Sequence, residues 1–267
     1  MEKKNNWSIY WNSYSSDVSL ERVINKDRYY RLLKRLISLP TKYKIRIAEI
    51  GCGSGMRSLA LAKEFKINKN IEITLLDASR SSIALAKKIA KQNKVKAHFV
   101  IADALKIPFK SNYFDIVWNE GVNEHFSGTE RQQIFNEMVR ICKKGGQVVV
   151  IVPNAFNPFY RFAKAGLTLM GRWIYGFEDP FTFMELKRRL EKAGIRTTVF
   201  SGVGIIASIF DIFQLFSNQH NSSASPKKNT YQNKSLKTSR VDLLEKWLEL
   251  RVGHYLARDI GIGGIKI

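Results

Sequence analysis

The sequence predicts an α/β fold in which a seven-stranded, mostly parallel sheet carries helices on both faces. Three observations predict it. Residues 45–50 (IRIAEI) form a short apolar run rich in β-branched side chains, as a buried parallel strand does. Gly51, Gly53 and Gly55 follow at alternate positions, and residues 58–65 (SLALAKEF) have helical spacing, so this stretch reads strand, glycine turn, helix. The same alternation of apolar strand and amphipathic helix continues to residue 153, which implies parallel strands joined by crossover helices.

The glycine turn organises the chain. Glycine is needed where the backbone turns sharply or approaches a ligand closely, and the first N–H groups of the following helix are free to meet a polar group. The spacing is not the G-x-G-x-x-G of dinucleotide sites, because Met56 stands where the third glycine would fall. It is E-x-G-x-G-x-G, with Glu49 two residues before the first glycine. A tight turn with no ligand is the bland alternative.

The strands that follow strengthen the ligand reading. Residues 71–77 (IEITLLD) form a second strand ending in Asp77, placed to accept hydrogen bonds from a ribose diol. Ser79, Ser81 and Ser82 then offer a helix cap before a helix at 83–92. Residues 98–103 (HFVIAD) form a third strand ending in Asp103, and residues 114–121 (FDIVWNEG) a fourth, running into Val122, Asn123, Glu124, His125 and Phe126. A helix at 131–142 is expected to end in a basic turn at Lys143–Gly146, before a fifth strand at 147–153. Acids at the ends of three successive strands would all face one crevice, where open α/β sheets bind ligands.

In order and spacing, EIGCGSG, LLDAS, ADAL with IPF, FDIVWNEGVNEHF and KKGGQVVVIVP resemble the class I S-adenosylmethionine (SAM) methyltransferases, and among them the type 11 branch. The resemblance covers roughly residues 44–154 and implies a Rossmann-like sheet and SAM as cofactor. It implies a cofactor set of Glu49, Gly51, Cys52, Gly53, Gly55, Asp77, Ala78, Asp103, Ala104, Asn119 and Glu120. After the fourth strand, family members place residues that face the acceptor. His125 is the first candidate for a general base there and Glu124 the second; a loop anchor is the alternative for both.

Composition sets the outer bounds. The net charge of +21 favours anionic partners, yet the lysines are spread along the chain as a solvated surface would have them. The two cysteines, Cys52 and Cys142, have no metal-like spacing, and no Cys/His cluster suggests zinc. With no signal-peptide plan at the N-terminus, a reducing, cytoplasmic setting is expected.

The flanks are less regular. Residues 1–40 read as an aromatic arm (Trp7, Tyr10, Trp11, Tyr14) and one amphipathic helix over 21–39 with a basic face. The SAM-binding domain would then occupy 41–267. Within it, residues 154–180 carry many aromatic residues together with Arg161, Lys164 and Arg172, and are expected to form a helical lid with an apolar, cation-bearing inner side. Thr182 and Glu185 match a capping box for a helix over 181–193, ahead of a sixth strand at 196–200. Residues 203–216 are strongly apolar, 217–240 read as a mobile loop, 241–255 as an amphipathic helix and 261–267 as a last, antiparallel strand.

The expected activity is direct displacement of the methyl group of SAM onto a small acceptor. The two apolar segments favour a lipophilic one, with peripheral contact to an anionic membrane. Charge alone keeps an RNA methyltransferase in view as the less favoured partner class. A SAM-fold protein acting as a non-catalytic binding or scaffold module is the third reading.

Overall fold

The computed structural model describes residues 7–41, 44–65, 70–204 and 257–267. The expected segments 217–240 and 241–255 lie outside the described residues, as does nearly all of 203–216.

Seven strands form one sheet in the order β3-β2-β1-β4-β5-β7-β6. They are β1 (Lys44–Ile50), β2 (Asn70–Asp77), β3 (His98–Ile101), β4 (Phe114–Glu120), β5 (Cys142–Pro153), β6 (Ile195–Val203) and β7 (Asp259–Lys266). β1 pairs in parallel with both β2 and β4, Glu49 lying opposite Leu75 on one side and Trp118 on the other. β7 is antiparallel, as expected, and lies between β5 and β6. Strand order reverses between β1 and β4, so a crevice opens beyond their C-terminal ends, where the glycine turn lies.

Alternation along the strands divides the core in two. Ile47, Ile116 and Trp118 face one side, against Leu33 and Leu36 of α3 (Arg28–Leu36) and Leu59 of α4 (Met56–Glu64). Ala48, Val117 and Val150 face the other, against Ile134 and Phe135 of α6 (Gly128–Ile141) and Leu186 of α8 (Phe183–Lys192). The N-terminal helices therefore share the core of the sheet.

Several boundaries depart from expectation. The single helix over 21–39 is two, α2 (Leu20–Lys26) and α3, broken at Asp27. Asp27 has extended backbone dihedrals, and its carboxylate accepts from the Tyr30 amide at 2.7 Å, capping α3. The apolar spacing runs through the break, so it could not reveal it. Residues Lys143–Gly146 belong to β5 as an irregular first stretch: the pairing jumps from Phe114–Cys142 to Ile116–Gln147. Lys143 closes that detour by pairing with the buried Asp115 at 2.7 Å. β3 stops at Ile101, before Ala102 and Asp103.

Residues 154–180, expected as a lid and so called below, hold one helix, α7 (Pro158–Leu169), followed by an irregular return. It leaves and rejoins the body at one point: Asn154 and Phe181 form an isolated parallel bridge, with Phe181 N–H donating to the Pro153 carbonyl at 3.0 Å. Thr182 caps α8 as the sequence implied, accepting from the Glu185 amide at 3.1 Å. The expected apolar inner side is corrected. Tyr160 and Ala163 are the buried residues of α7, whereas Phe156, Phe159, Phe162, Leu169, Met170, Ile174 and Phe177 are exposed.

Candidate active site at the C-terminal end of the sheet

The site starts at the glycine turn. Gly51, Gly53 and Gly55 all have positive φ (66°, 51° and 64°), which an L side chain adopts only with strain. A Cβ at Gly51 would run into Val122, and one at Gly53 into the Trp11 ring. Two segments thus close onto the turn: the loop after β4, and α1 (Trp7–Asn12). The Gly53 amide donates to one Asp77 oxygen at 2.9 Å, and the Ser79 amide to the other at 2.8 Å. Ser79 caps α5 (Arg80–Gln92), so the cap and the strand-end acid are separate residues, as the sequence allowed.

Burial raises the Asp77 carboxyl above its ordinary value, and its two backbone donors oppose that. Glu49 lies deeper and is pushed up to about 8, chiefly by burial, with Glu120 and Asp77 adding like charge. Glu120 is pushed up to about 7 by burial, despite its ion pair with Arg57 at 3.1 Å. Glu49 Oε2, Glu120 Oε2 and Asn119 Oδ1 are buried polar atoms without a protein partner. A native protein seldom leaves such atoms unmet, and acceptor oxygens beside a glycine turn suit a ligand carrying an ammonium and hydroxyls. The set fits SAM on this ground.

The remaining cofactor candidates are placed as follows. Asp103 is exposed, its Oδ1 accepting from the Leu105 amide at 2.9 Å, and it follows β3 beside the end of β2. Ala78 is exposed in the turn after Asp77, and Ala104 is buried in the core under the opposite sheet face. The Cys52 thiol is buried and raised well above its usual value by burial, which makes it packing rather than a nucleophile.

Glu124 and His125 occupy a short 3₁₀ turn, Asn123–His125, directly after β4. His125 Nδ1 lies 2.8 Å from the Phe177 carbonyl oxygen. A carbonyl only accepts, so Nδ1 carries the hydrogen and Nε2 keeps its lone pair. Burial lowers the imidazole below its ordinary value, partly opposed by that hydrogen bond. Nε2 stands 4.0 Å from Glu124 Oε1. Glu124 is 2% exposed, its Oε2 has no partner, and burial with the nearby Glu178 raises its carboxyl well above the usual range.

The sequence reading missed the second ring of residues. Glu178, returning from the lid, is pushed up to about 8 by burial and receives the Tyr160 hydroxyl. Tyr29 donates to Asp259 at 2.6 Å. Arg57 pairs with Asp27 at 3.1 Å and lies over the Tyr29 ring, tying α4 to the N-terminal helices. The buried Arg131 reaches Asp179 at 2.8 Å and Glu185 at 3.3 Å, and lies over the Phe181 ring. Trp7 meets the His125 ring edge-on at 4.9 Å between centroids, and Tyr10 meets Tyr175 of the lid at 5.9 Å. These contacts join segments distant in sequence, and no local pattern announces them.

A methyltransferase-domain family model matches residues 47–146. The chloroplastic tocopherol O-methyltransferase of Arabidopsis thaliana is 34% identical over 109 residues, 40% of this chain and 29% of that protein. The ubiquinone biosynthesis O-methyltransferase of Pelagibacter ubique is 27% identical over 130 residues, 49% of this chain and 51% of that protein. The chain thus spans about half or less of the length of these curated relatives. Among solved structures, the geranyl diphosphate C-methyltransferase of Streptomyces coelicolor A3(2) shares the fold with a TM-score of 0.57 at 14% identity, over 89% of this chain and 77% of that one. The matched region contains the glycine turn, Glu49, Asp77 and Asp103, and the Glu124–His125 turn.

Proposed function

We propose, since a methyltransferase-domain family model matches residues 47–146, that this chain is a class I SAM-dependent methyltransferase that transfers a methyl group from SAM to a small, lipophilic acceptor by direct displacement. One observation carries the reading: the Gly53 amide and the Asp77 carboxylate lock the glycine turn to the end of β2, over the crevice between β1 and β4. When bound, SAM supplies an electrophilic methyl group on a sulfonium centre. Asp77 would hold its ribose hydroxyls, Asp103 and Ala104 its adenine, and the unpartnered oxygens of Glu49 and Glu120 its ammonium end; Asn119 lies on the other sheet face, its amide against Asn123 and Met138.

The work left to the protein is alignment, water exclusion and, for a hydroxyl acceptor, removal of a proton. His125 is built for the last task. Its hydrogen is committed to Phe177, and Nε2 is a neutral acceptor at neutral pH. Glu124, whose burial favours the protonated form, flanks that nitrogen without quenching it by charge. The lipophilic class rests on relatives named for tocopherol and ubiquinone biosynthesis.

The RNA reading rests on net charge alone, and the lysines that carry it are spread along the chain as a solvated surface would have them. Calorimetry with SAM and S-adenosylhomocysteine tests the assignment, with both expected to bind; binding of neither overturns it. Turnover of labelled SAM in a lipid-extract fraction, absent from the aqueous fraction, tests the acceptor class. Binding without turnover in either fraction would favour a scaffold role.

A further inference from the structure

We infer that the outward face of the lid, residues 156–177, is a docking surface for an anionic lipid bilayer. The inference rests on the lipophilic-acceptor reading, and its test is separable from it. α7 has two apolar stripes where a packed surface helix needs one. Tyr160 and Ala163 point inward and are buried. Phe159, Phe162 and Leu169 form a second stripe at helical spacing, with Phe162 57% and Leu169 89% exposed. Phe156 before the helix, and Met170, Ile174 (61% exposed) and Phe177 after it, are exposed as well. So many exposed large apolar groups within one short segment mark an interaction surface.

Charge selects the partner. Residues 154–177 contain Arg161, Lys164 and Arg172 and no acid. The acids that follow are turned to other work: Glu178 holds Tyr160, and Asp179 holds Arg131. Arg161 and Arg172 are exposed among the apolar side chains, the mixture that settles at a headgroup boundary, and the chain's net charge of +21 adds attraction to an anionic leaflet. No helix among the described residues is long and apolar enough to cross a membrane, so the contact is with a surface. Seated there, the lid would place its Tyr160–Glu178 inner side and the His125 turn directly beneath the headgroups.

The test is co-sedimentation of the full chain with phosphatidylcholine vesicles, with and without phosphatidylglycerol. Wild type is expected to bind the anionic vesicles and to bind neutral ones weakly. The triple substitution Phe156→Ser, Phe162→Ser and Ile174→Ser should lower anionic-vesicle binding by about tenfold or more, as should Arg161→Glu with Arg172→Glu. Both variants should retain SAM affinity, since none of these residues is among those that would hold SAM. The inference is overturned if wild type ignores anionic vesicles, or if the serine variant binds them as wild type does. It is also overturned if the serine substitutions turn a wild-type dimer into a monomer in sedimentation velocity with vesicle binding unchanged, which would assign the face to a second copy of the chain. Lost SAM binding in wild type would count against the function instead.

Discussion

The Nδ1 atom of His125 lies 2.8 Å from the carbonyl oxygen of Phe177, 52 residues further along the chain. That contact decides which imidazole nitrogen keeps its lone pair, and it ties the 3₁₀ turn after β4 to the return from α7. His125→Ala is expected to lower kcat by about 10²–10⁴-fold with SAM affinity unchanged. Because burial holds the imidazole below its ordinary value, the rate should be flat across neutral pH and fall only on the acid side. A pH–rate profile of wild type and variant checks both. An unchanged kcat in the variant would reduce His125 to a loop anchor.

Asp77 joins the glycine turn to the cap of α5 through the Gly53 and Ser79 amides, and the proposed function gives it the ribose hydroxyls. Asp77→Ala should weaken SAM binding by about 1–3 kcal/mol, because a charged acceptor is lost to buried hydroxyls. Asp77→Asn, which keeps an acceptor oxygen, should lose less. Titration calorimetry measures the affinities, and thermal melts of the apo variants show whether the Gly53 and Ser79 amides needed the carboxylate for folding. Equal SAM affinity in all three proteins would make the turn purely structural.

Buried carboxyls set an alkaline weakness. Glu49 is raised from an ordinary 4.5 to about 8, so between those values the folded chain keeps a proton that the unfolded chain has released. Stability from this group is full below 4.5 and is lost as pH rises through about 8. Glu49→Gln removes it, so the Tm of the variant relative to wild type should climb across that window. A constant Tm difference between the two proteins would show that Glu49 ionises as freely in the fold as outside it.

Asp27 carries two jobs at the break between α2 and α3. It caps α3 through Tyr30 N–H and pairs with Arg57, itself half of the contact to Glu120. Asp27→Ala should cost about 2–4 kcal/mol in denaturant unfolding, from the lost cap and the stranded guanidinium together. Asp27→Asn, able to cap but not to neutralise, should fall between. An alanine cost under about 0.5 kcal/mol, the range of ordinary surface changes, would mean that Arg57 is satisfied by Glu120 alone.

The sequence by itself determined the sheet, the glycine turn and the acid that ends β2, while Asp103 falls two residues beyond the end of β3. Each success is written in a short-range pattern: β-branched runs for buried parallel strands, glycine where φ is positive, an acid where β2 stops. The Thr182–Glu185 cap was legible for the same reason, since a cap and its amide lie within one helical turn. Tertiary structure alone decided the rest. The break at Asp27 left the apolar spacing unmarked; its carboxylate caps α3 locally, but the Arg57 that also engages it comes from another helix. The active tautomer of His125 depends on a lid carbonyl, and the elevated Glu49 and Glu178 carboxyls depend on burial, a property of the assembled fold. The lid shows the limit most plainly. Its sequence declares many aromatic side chains, but the burial of Tyr160 against Glu178 turns α7 so that Phe159 and Phe162 face outward, because a helix anchored on one stripe must present its other stripe to the surroundings.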